Sequence, residues 1–411
     1  MSDENMDGGK VFFNPEWLRT QIFETIRFYD PQCIDQVSGG YYHCYLDDGT
    51  ICDYETKSLV GTARFIYIFS VGTMLGGPRH WKTMAEHGLR FLEEVFHDQE
   101  YGGYYWQAEK RAPTDTGKYA YGQAFVLRAL ATAAKAGIGK ARPLIDELVQ
   151  TLQKHLWDDA HQLYLDAKSR DWSASDPYHG QNANMQMCEA MIAAFEATGE
   201  RAFLHRVRAL AHSVTVTLAD QTGGLIWEQY DPEWRPDWRQ HAGDQNNEFR
   251  PFGFVFGHSI EWSKLLMKLH DFTREPWLVD RAVFLYRTAW KAASDPIYGG
   301  LYFSMAADGR IFDHYKYYWV MAEALGASAR LAGGAPDAAF YLKHYRELFS
   351  YCWAHFIDHR YGAWYPKLGR ANLRVIYEKS PLTKADDHPI ANYYEAMHVF
   401  GNSFPDAFQF E

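Results

Sequence analysis

Polar side chains that interrupt otherwise apolar stretches are where this sequence could do chemistry. They are Arg64, Tyr121, the group Asn182, Asn184, Gln186 and Glu189, then His258 with Glu261, Lys316, Glu323, and finally Asp387, His388 and Glu395. Histidine titrates near neutral pH, so one residue can take a proton and return it. His258 and Glu261 stand at i, i+3 on one helical face, where they can pair. Arg64 beside such a pair would stabilise negative charge that develops during proton transfer. A zinc site is a weak reading, because His258 and Glu261 supply two ligands and no third is spaced for it; no metal is expected. Taken singly, each residue also has a structural role open to it. Arg64 could serve as counter-charge to a buried carboxylate such as Glu261, and Glu189, Glu323 and Glu395 could bond neighbouring helix ends.

The chemistry depends on elements that bring these residues together. Gly/aromatic stretches recur along the chain, among them SGGYYHCYLDDG at 38–49, YGGYYWQAEKRA at 101–112 and YGGLYFSMAADGR at 298–310. Markers at Gly39, Gly102, Gln162, Gly223, Gly299 and Gly362 are separated by 63, 60, 61, 76 and 63 residues. Each stretch reads as a turn and a short β-excursion, with glycine supplying the tight backbone. An amphipathic helical stretch precedes each marker and a stretch apolar on nearly all sides follows it, the signatures of outer and buried helices. Six outer and six inner helices in alternation predict an all-α fold, an (α/α)6 barrel formed as one domain over 1–411, with residues 1–12 as a flexible tail. An open α-solenoid fits less well, because no capping repeat follows the last inner helix. Closure of the ring points the polar ends of all inner helices into one mouth.

Composition agrees with a globular protein. Of 411 residues, 47% are hydrophobic and 23% charged, and a net charge of −11 without a basic block excludes nucleic acid as a natural partner. Fourteen Trp, 28 Tyr and 26 Phe suit either a core with many satisfied polar groups or a pocket that stacks on sugar rings. The five cysteines, Cys33, Cys44, Cys52, Cys188 and Cys352, lack C-x-x-C spacing and read as free thiols in a reduced cytosol. The polar start MSDENMDGGK and the lack of a long apolar run point to a cytoplasmic protein with no membrane span. The longest repeat spacing contains the loop between Trp227 and Arg250, with Trp234, Trp238 and the run HAGDQNNE, and reads as a lid.

The strings GTARFIY (61–67), YAYGQAF (119–125), NANMQMCEA (182–190), GHSIEWSKLL (257–266), KYYWVMAEAL (316–325) and DDHPIANYYEA (386–396) resemble the N-acylglucosamine 2-epimerase superfamily. Within it the chain is most similar to the aldose–ketose isomerase branch that interconverts mannose and fructose. The resemblance runs from about residue 14 to 402. It implies an (α/α)6 barrel, a monosaccharide substrate, no cofactor, and a monomer or homodimer. Arg64 matches the arginine at the reacting end of the sugar, Tyr121 and Asn182 match hydroxyl contacts, and Trp319 matches an aromatic wall. His258 and His388 match the acid/base pair, and Glu261 the carboxylate one turn beyond the first. Gln186 stands where many members carry a third histidine, so no proton can shuttle there, though it can still hydrogen-bond sugar.

The expected reaction is D-mannose to D-fructose, with lyxose to xylulose as a related conversion, through a cis-enediol. His388 is expected to be the C2 base, His258 the acid/base at the carbonyl or ring-oxygen end, and Glu261 the group that orients His258. A sugar 2-epimerase would use the same enediol and histidines. An inverting glycosidase would need two opposed carboxylates, for which Glu261 and Asp387 are candidates.

Overall fold

The computed structural model describes residues 7–240, 242, 247 and 249–403. Helices form over both kinds of helical stretch that the periodicity predicts. In chain order they are α1 (Pro15–Arg27), α2 (Leu59–Met74), α3 (Arg79–Phe91), α4 (Ala120–Lys135), α5 (Ala141–His155) and α6 (Gln181–Thr198), then α7 (Arg201–His212), α8 (Phe256–Thr273), α9 (Pro276–Ala293), α10 (Tyr318–Gly334), α11 (Ala338–His355) and α12 (Asp387–Ser403). Even-numbered helices are buried on every side for most of their length, as in Leu59–Gly72 of α2 and Phe256–Leu269 of α8. They lie between an outer shell of odd-numbered helices and the axis. The inner helices touch in the cyclic order α2, α4, α6, α8, α10, α12 and back to α2, and α12 packs outward on α1. The ring therefore closes as the (α/α)6 barrel; an open solenoid would leave α12 and α2 apart.

Short antiparallel sheets repeat the closure at the end where inner helices begin. Each joins the strand entering an inner helix to the strand following the next outer helix: Lys57 faces Ala108, Tyr119 faces Ala167, His179 faces Tyr230, Val255 faces Ser304 and Tyr317 faces Lys367. Tyr45 facing Ser380 then ties the last repeat to the first. At the N-terminus, Asn14 caps α1 by accepting from the N–H groups of Glu16 and Trp17, an interaction worth about 1 kcal/mol. The tail expected over 1–12 is shorter on its C-terminal side. Asp7–Phe13 form a 3-10 helix whose buried Phe12 stacks on Phe349 with centroids 4.4 Å apart.

Two further expectations are corrected here. Cys44 and Cys52 form a disulfide rather than free thiols, since the hairpin turn at Asp47–Thr50 brings their Cα atoms to 5.3 Å; Cys33, Cys188 and Cys352 are free and buried. That pairing removes thiol content as an argument for a reducing compartment. Lys316 does not enter the cavity mouth. Its Nζ lies 3.3 Å from Asp295 and donates to Asn372 Oδ1 at 2.9 Å. Residues 241, 243–246 and 248 of the expected lid lie outside the described residues, while Trp234 in its first half is buried against His179. Among the described residues no helix is long and apolar enough to cross a membrane.

The Asp295–Lys316 contact is one of four alike. Lys57 meets Asp35 at 2.8 Å, Lys118 meets Asp98 at 3.0 Å, and Lys379 bonds Asp358. Each lysine stands in the strand entering an inner helix, each aspartate in the turn before the sheet, and the pairs are buried. Each aspartate also accepts two successive backbone N–H groups, as Asp98 does from Glu100 and Tyr101. The turn geometry and the strand are thus locked by one buried carboxylate. Removing one partner from such a pair strands a charge away from water, at a cost of about 3–5 kcal/mol. Asp98→Asn should lose stability on that scale in chemical denaturation, and Asp98→Asn with Lys118→Met should recover most of it. A loss below about 1 kcal/mol in the single variant would contradict the assignment. Burial works to raise these carboxyls, but the lysines and N–H groups, and at Asp98 first of all Arg170 at 3.0 Å, overcome it, and all four sit below the usual carboxylate range. A carboxyl depressed on folding adds stability that is complete above about pH 4 and is lost as pH falls through its folded value. Melting temperature should accordingly fall on acidification below about pH 4, and less steeply in the double variant.

Candidate active site

The first turns of the inner helices enclose a cavity of about 610 Å³, whose wall includes Arg64, Tyr121, Asn182, Gln186, His258, Glu261, Trp319 and His388. Asn184 is turned elsewhere. Its Oδ1 accepts from the Tyr164 N–H at 2.7 Å and its Nδ2 donates to the Tyr164 and Gly180 carbonyls, so it ties an excursion to α6. Glycine at position 257 makes room for the site's aromatic wall. A Cβ there would meet the Trp319 ring at 2.5 Å; without it Trp319 lies against the His258 ring, with centroids 4.9 Å apart, and approaches His388 at 5.9 Å.

Both histidines are backed by a buried carboxylate. His258 Nδ1 lies 2.9 Å from Glu228 Oε1. Gln181 Nε2 donates to both Glu228 oxygens at 2.9 and 2.8 Å, and Gln181 Oε1 is held by the Trp262 indole N–H at 2.7 Å. His388 Nδ1 lies 2.7 Å from Glu323 Oε1, which also accepts from Asn392 Nδ2 at 2.8 Å. A carboxylate can only accept, so each ring donates through Nδ1 and leaves Nε2 for the cavity. Arg64, which can only donate, approaches His388 Nε2 at 3.4 Å and so faces its lone pair. Arg64 Nη1 donates to the Thr383 carbonyl at 2.7 Å, and its Nε stands 3.1 Å from Asp387 Oδ1.

Glu261 does not orient His258 as expected. The i, i+3 spacing puts both on one face of α8, but the Glu261 Oε1 accepts from Gln186 Nε2 at 3.0 Å, and Glu228 from the neighbouring excursion reaches His258 instead. Of the two candidate glycosidase carboxylates, Glu261 lies in the cavity wall and Asp387 does not. Asp387 is taken up by Arg64 at 3.1 Å and Arg128 at 3.3 Å, which hold it below the usual range against burial. Burial first, then the negative Glu323, push the Glu261 carboxyl well above that range. Its Oε2 has no hydrogen-bond partner among the described residues.

Below the histidines lies a layer of alternating charge. Arg128 spans Asp387 and, at 3.6 Å, Glu189; Lys264 bonds Glu323 and stands 3.6 Å from Glu189. Deeper still, Glu395 is held by Lys268 at 2.6 Å and by Arg330. Glu189 and Glu395 therefore have the structural roles open to them in the sequence, whereas Glu323 belongs to the site. Glu261, Glu323 and His388 bring ligand-type atoms within 4.8 Å of one another, but the Lys264 ammonium already sits on Glu323 in the place a cation would take. Glu228, Gln181, Arg128 and Lys264 complete the geometry of the site and were not singled out from the sequence. Glu228 and Gln181 lie just outside the apolar stretches that were searched for intruding polar groups, Gln181 next to Asn182 at the start of α6.

Residues 40–390 match the model of the N-acylglucosamine 2-epimerase (GlcNAc 2-epimerase) family. A D-mannose isomerase from Marinomonas mediterranea is 37% identical over 388 residues, 94% of this chain and 98% of that protein. A crystal structure of a D-mannose isomerase superposes with a TM-score of 0.91 at 37% identity, again over 94% of this chain and 98% of the other. A cellobiose 2-epimerase from Spirochaeta thermophila shares the fold, with a TM-score of 0.84 at 23% identity over 94% and 96%. Ring, cavity and family match agree, and the chain belongs to the N-acylglucosamine 2-epimerase family.

Proposed function

We propose that the protein is a cofactor-independent aldose–ketose isomerase that interconverts D-mannose and D-fructose, with lyxose and xylulose as a related pair. The observation that carries the reading is the pair of carboxylate-backed histidines, both presenting Nε2 to one cavity beside a fixed arginine. The 37% identity to a D-mannose isomerase over almost the whole chain supports the choice of sugar. In the open-chain aldose the C1 carbonyl acidifies the C2 proton. His388 Nε2 takes that proton, the electron pair forms the C1–C2 double bond, and negative charge moves to O1. Arg64 stabilises that charge, a term that is large in a site closed to water. His258 moves the remaining proton from O2 to O1, and His388 returns its proton to C1 to give the ketose. Each histidine ends as it began, so no other reactant is needed.

Glu228 and Glu323 keep the rings in the tautomer with Nε2 free and offset the positive charge each gains while it holds a proton. Trp319, Tyr121, Asn182, Gln186 and Glu261 line the cavity and position the sugar. The same groups could return the proton to C2 on its opposite face, which would make a 2-epimerase; relatives named cellobiose 2-epimerase keep that reading in view.

Proton NMR of mannose with enzyme in heavy water separates the two. Fructose with deuterium at C1 is expected; accumulation of glucose deuterated at C2, without fructose, would replace isomerase by epimerase. His388→Ala and His258→Ala should each lower kcat by about a thousandfold or more with the fold intact by circular dichroism, and a fully active His388→Ala enzyme would sink the proposal. Glu228→Gln should lower kcat by at least about tenfold with little change in KM, because it alters the charge behind His258 and leaves the sugar contacts in place.

A further inference from the structure

The two histidine dyads differ in what stands behind the carboxylate. Glu228 is met by a neutral amide, Gln181, whereas Glu323 is met by a buried cation, Lys264. Lys264 is not in the wall of the cavity described above, and its side chain is 0% exposed. We propose that Lys264 is a positioning residue that tunes the His388–Glu323 dyad for proton abstraction by holding Glu323 as an anion with part of its charge already compensated. The proposal rests on the isomerase reading for its kinetics and on the buried contacts of Lys264 for its electrostatics.

Every element packed around Lys264 contributes a charged or polar group. Glu323 comes from α10, Glu189 from α6 with Oε1 at 3.6 Å, and Asn392 from α12 with Oδ1 at 3.4 Å. Glu261 and Lys268 share α8 with it, Arg128 of α4 reaches Glu189, and Arg64 of α2 reaches His388. Burial disfavours the charged lysine, yet Glu189, Glu323 and Glu261 overcome it and raise its proton affinity, so it stays an ammonium. Burial would likewise neutralise Glu323, but Lys264 first and His388 next hold it well below the usual carboxylate range. Without the lysine, the proton on the dyad would face Glu323 with its full charge and Glu189 beside it. The dyad would bind that proton more tightly, and a base that keeps its proton cannot take one from C2. Glu189 acts in the opposite sense, because its charge offsets that of Lys264.

The sign of the shift separates tuning from packing. Lys264→Met keeps the length of the side chain and removes its charge; it should move the acidic limb of the kcat/KM profile up by about one pH unit or more, with activity recovering toward alkaline pH. Lys264→Arg should leave the limb where it is. Glu189→Gln, which reaches neither histidine nor the cavity, should move the limb down and keeps the proposal testable if Lys264→Met does not fold. The same displacements are to be followed in the resting enzyme by 15N NMR of the His388 ring, assigned through His388→Asn, so a failure of the isomerase reading would leave this measurement standing. Variants that lose amplitude while both limb and ring titration stay at the wild-type pH would overturn the proposal.

Discussion

A barrel whose inner wall carries Arg64, Arg128, Lys264, Asp387, Glu189 and Glu323 can exist only if each buried charge meets an opposite one. Desolvating an isolated ion in such a place costs several kcal/mol, more than one good hydrogen bond returns. The chain meets this constraint by arranging the charges in alternation across the axis, from Arg64 to Asp387, Arg128, Glu189, Lys264 and Glu323. The order runs between α2, α12, α4, α6, α8 and α10, so it exists only when the ring is closed. Electrostatics and topology are therefore one condition: an unclosed ring leaves Asp387 without Arg64, and an unpaired Asp387 works against closure.

The same rule operates at the sheet end, where Lys57, Lys118, Lys316 and Lys379 each meet an aspartate. The pattern stops at the third and fourth repeats. His179 and Phe254 occupy the lysine positions there, and Asp158 turns to His161 at 2.6 Å. These repeats flank the long excursion after Trp227, which delivers Glu228 to His258. At the fourth repeat, where the regular ion pair is absent, the excursion carries Glu228 to His258; the sixth keeps its pair and brings the Thr383 carbonyl to Arg64.

Most of the architecture was legible because it repeats. Helix periodicity and markers near sixty residues apart locate all twelve helices, and the chain's polar residues on apolar helices locate the cavity. What escaped lies where side chains act between repeats. Glu228 sits in an excursion rich in Gly and Trp, and nothing local distinguishes it from a surface glutamate. Glu261 looked like the partner of His258 because i, i+3 spacing guarantees proximity, but proximity on one helix face does not direct two side chains at each other when a neighbouring helix offers Gln186. Lys316 seemed to belong to the mouth by its position, and the aspartate that claims it is 21 residues earlier in the chain. Cys44 and Cys52 become partners through a hairpin turn that composition does not reveal.

The glutamine at 186 shows why the charge layer and the chemistry have to be read together. A histidine there would face Glu261, and a protonated imidazole would draw Glu261 toward its anionic form. That would add a further ion pair, with another carboxylate beside Glu323 and Glu189. A neutral amide donates to Glu261 Oε1 without adding charge, and burial holds that carboxyl well above the usual range. Three cations, Arg64, Arg128 and Lys264, then face three carboxylates, Asp387, Glu189 and Glu323. Glutamine at 186 thus brings no titrating side chain into the site and keeps a further ion pair off its floor.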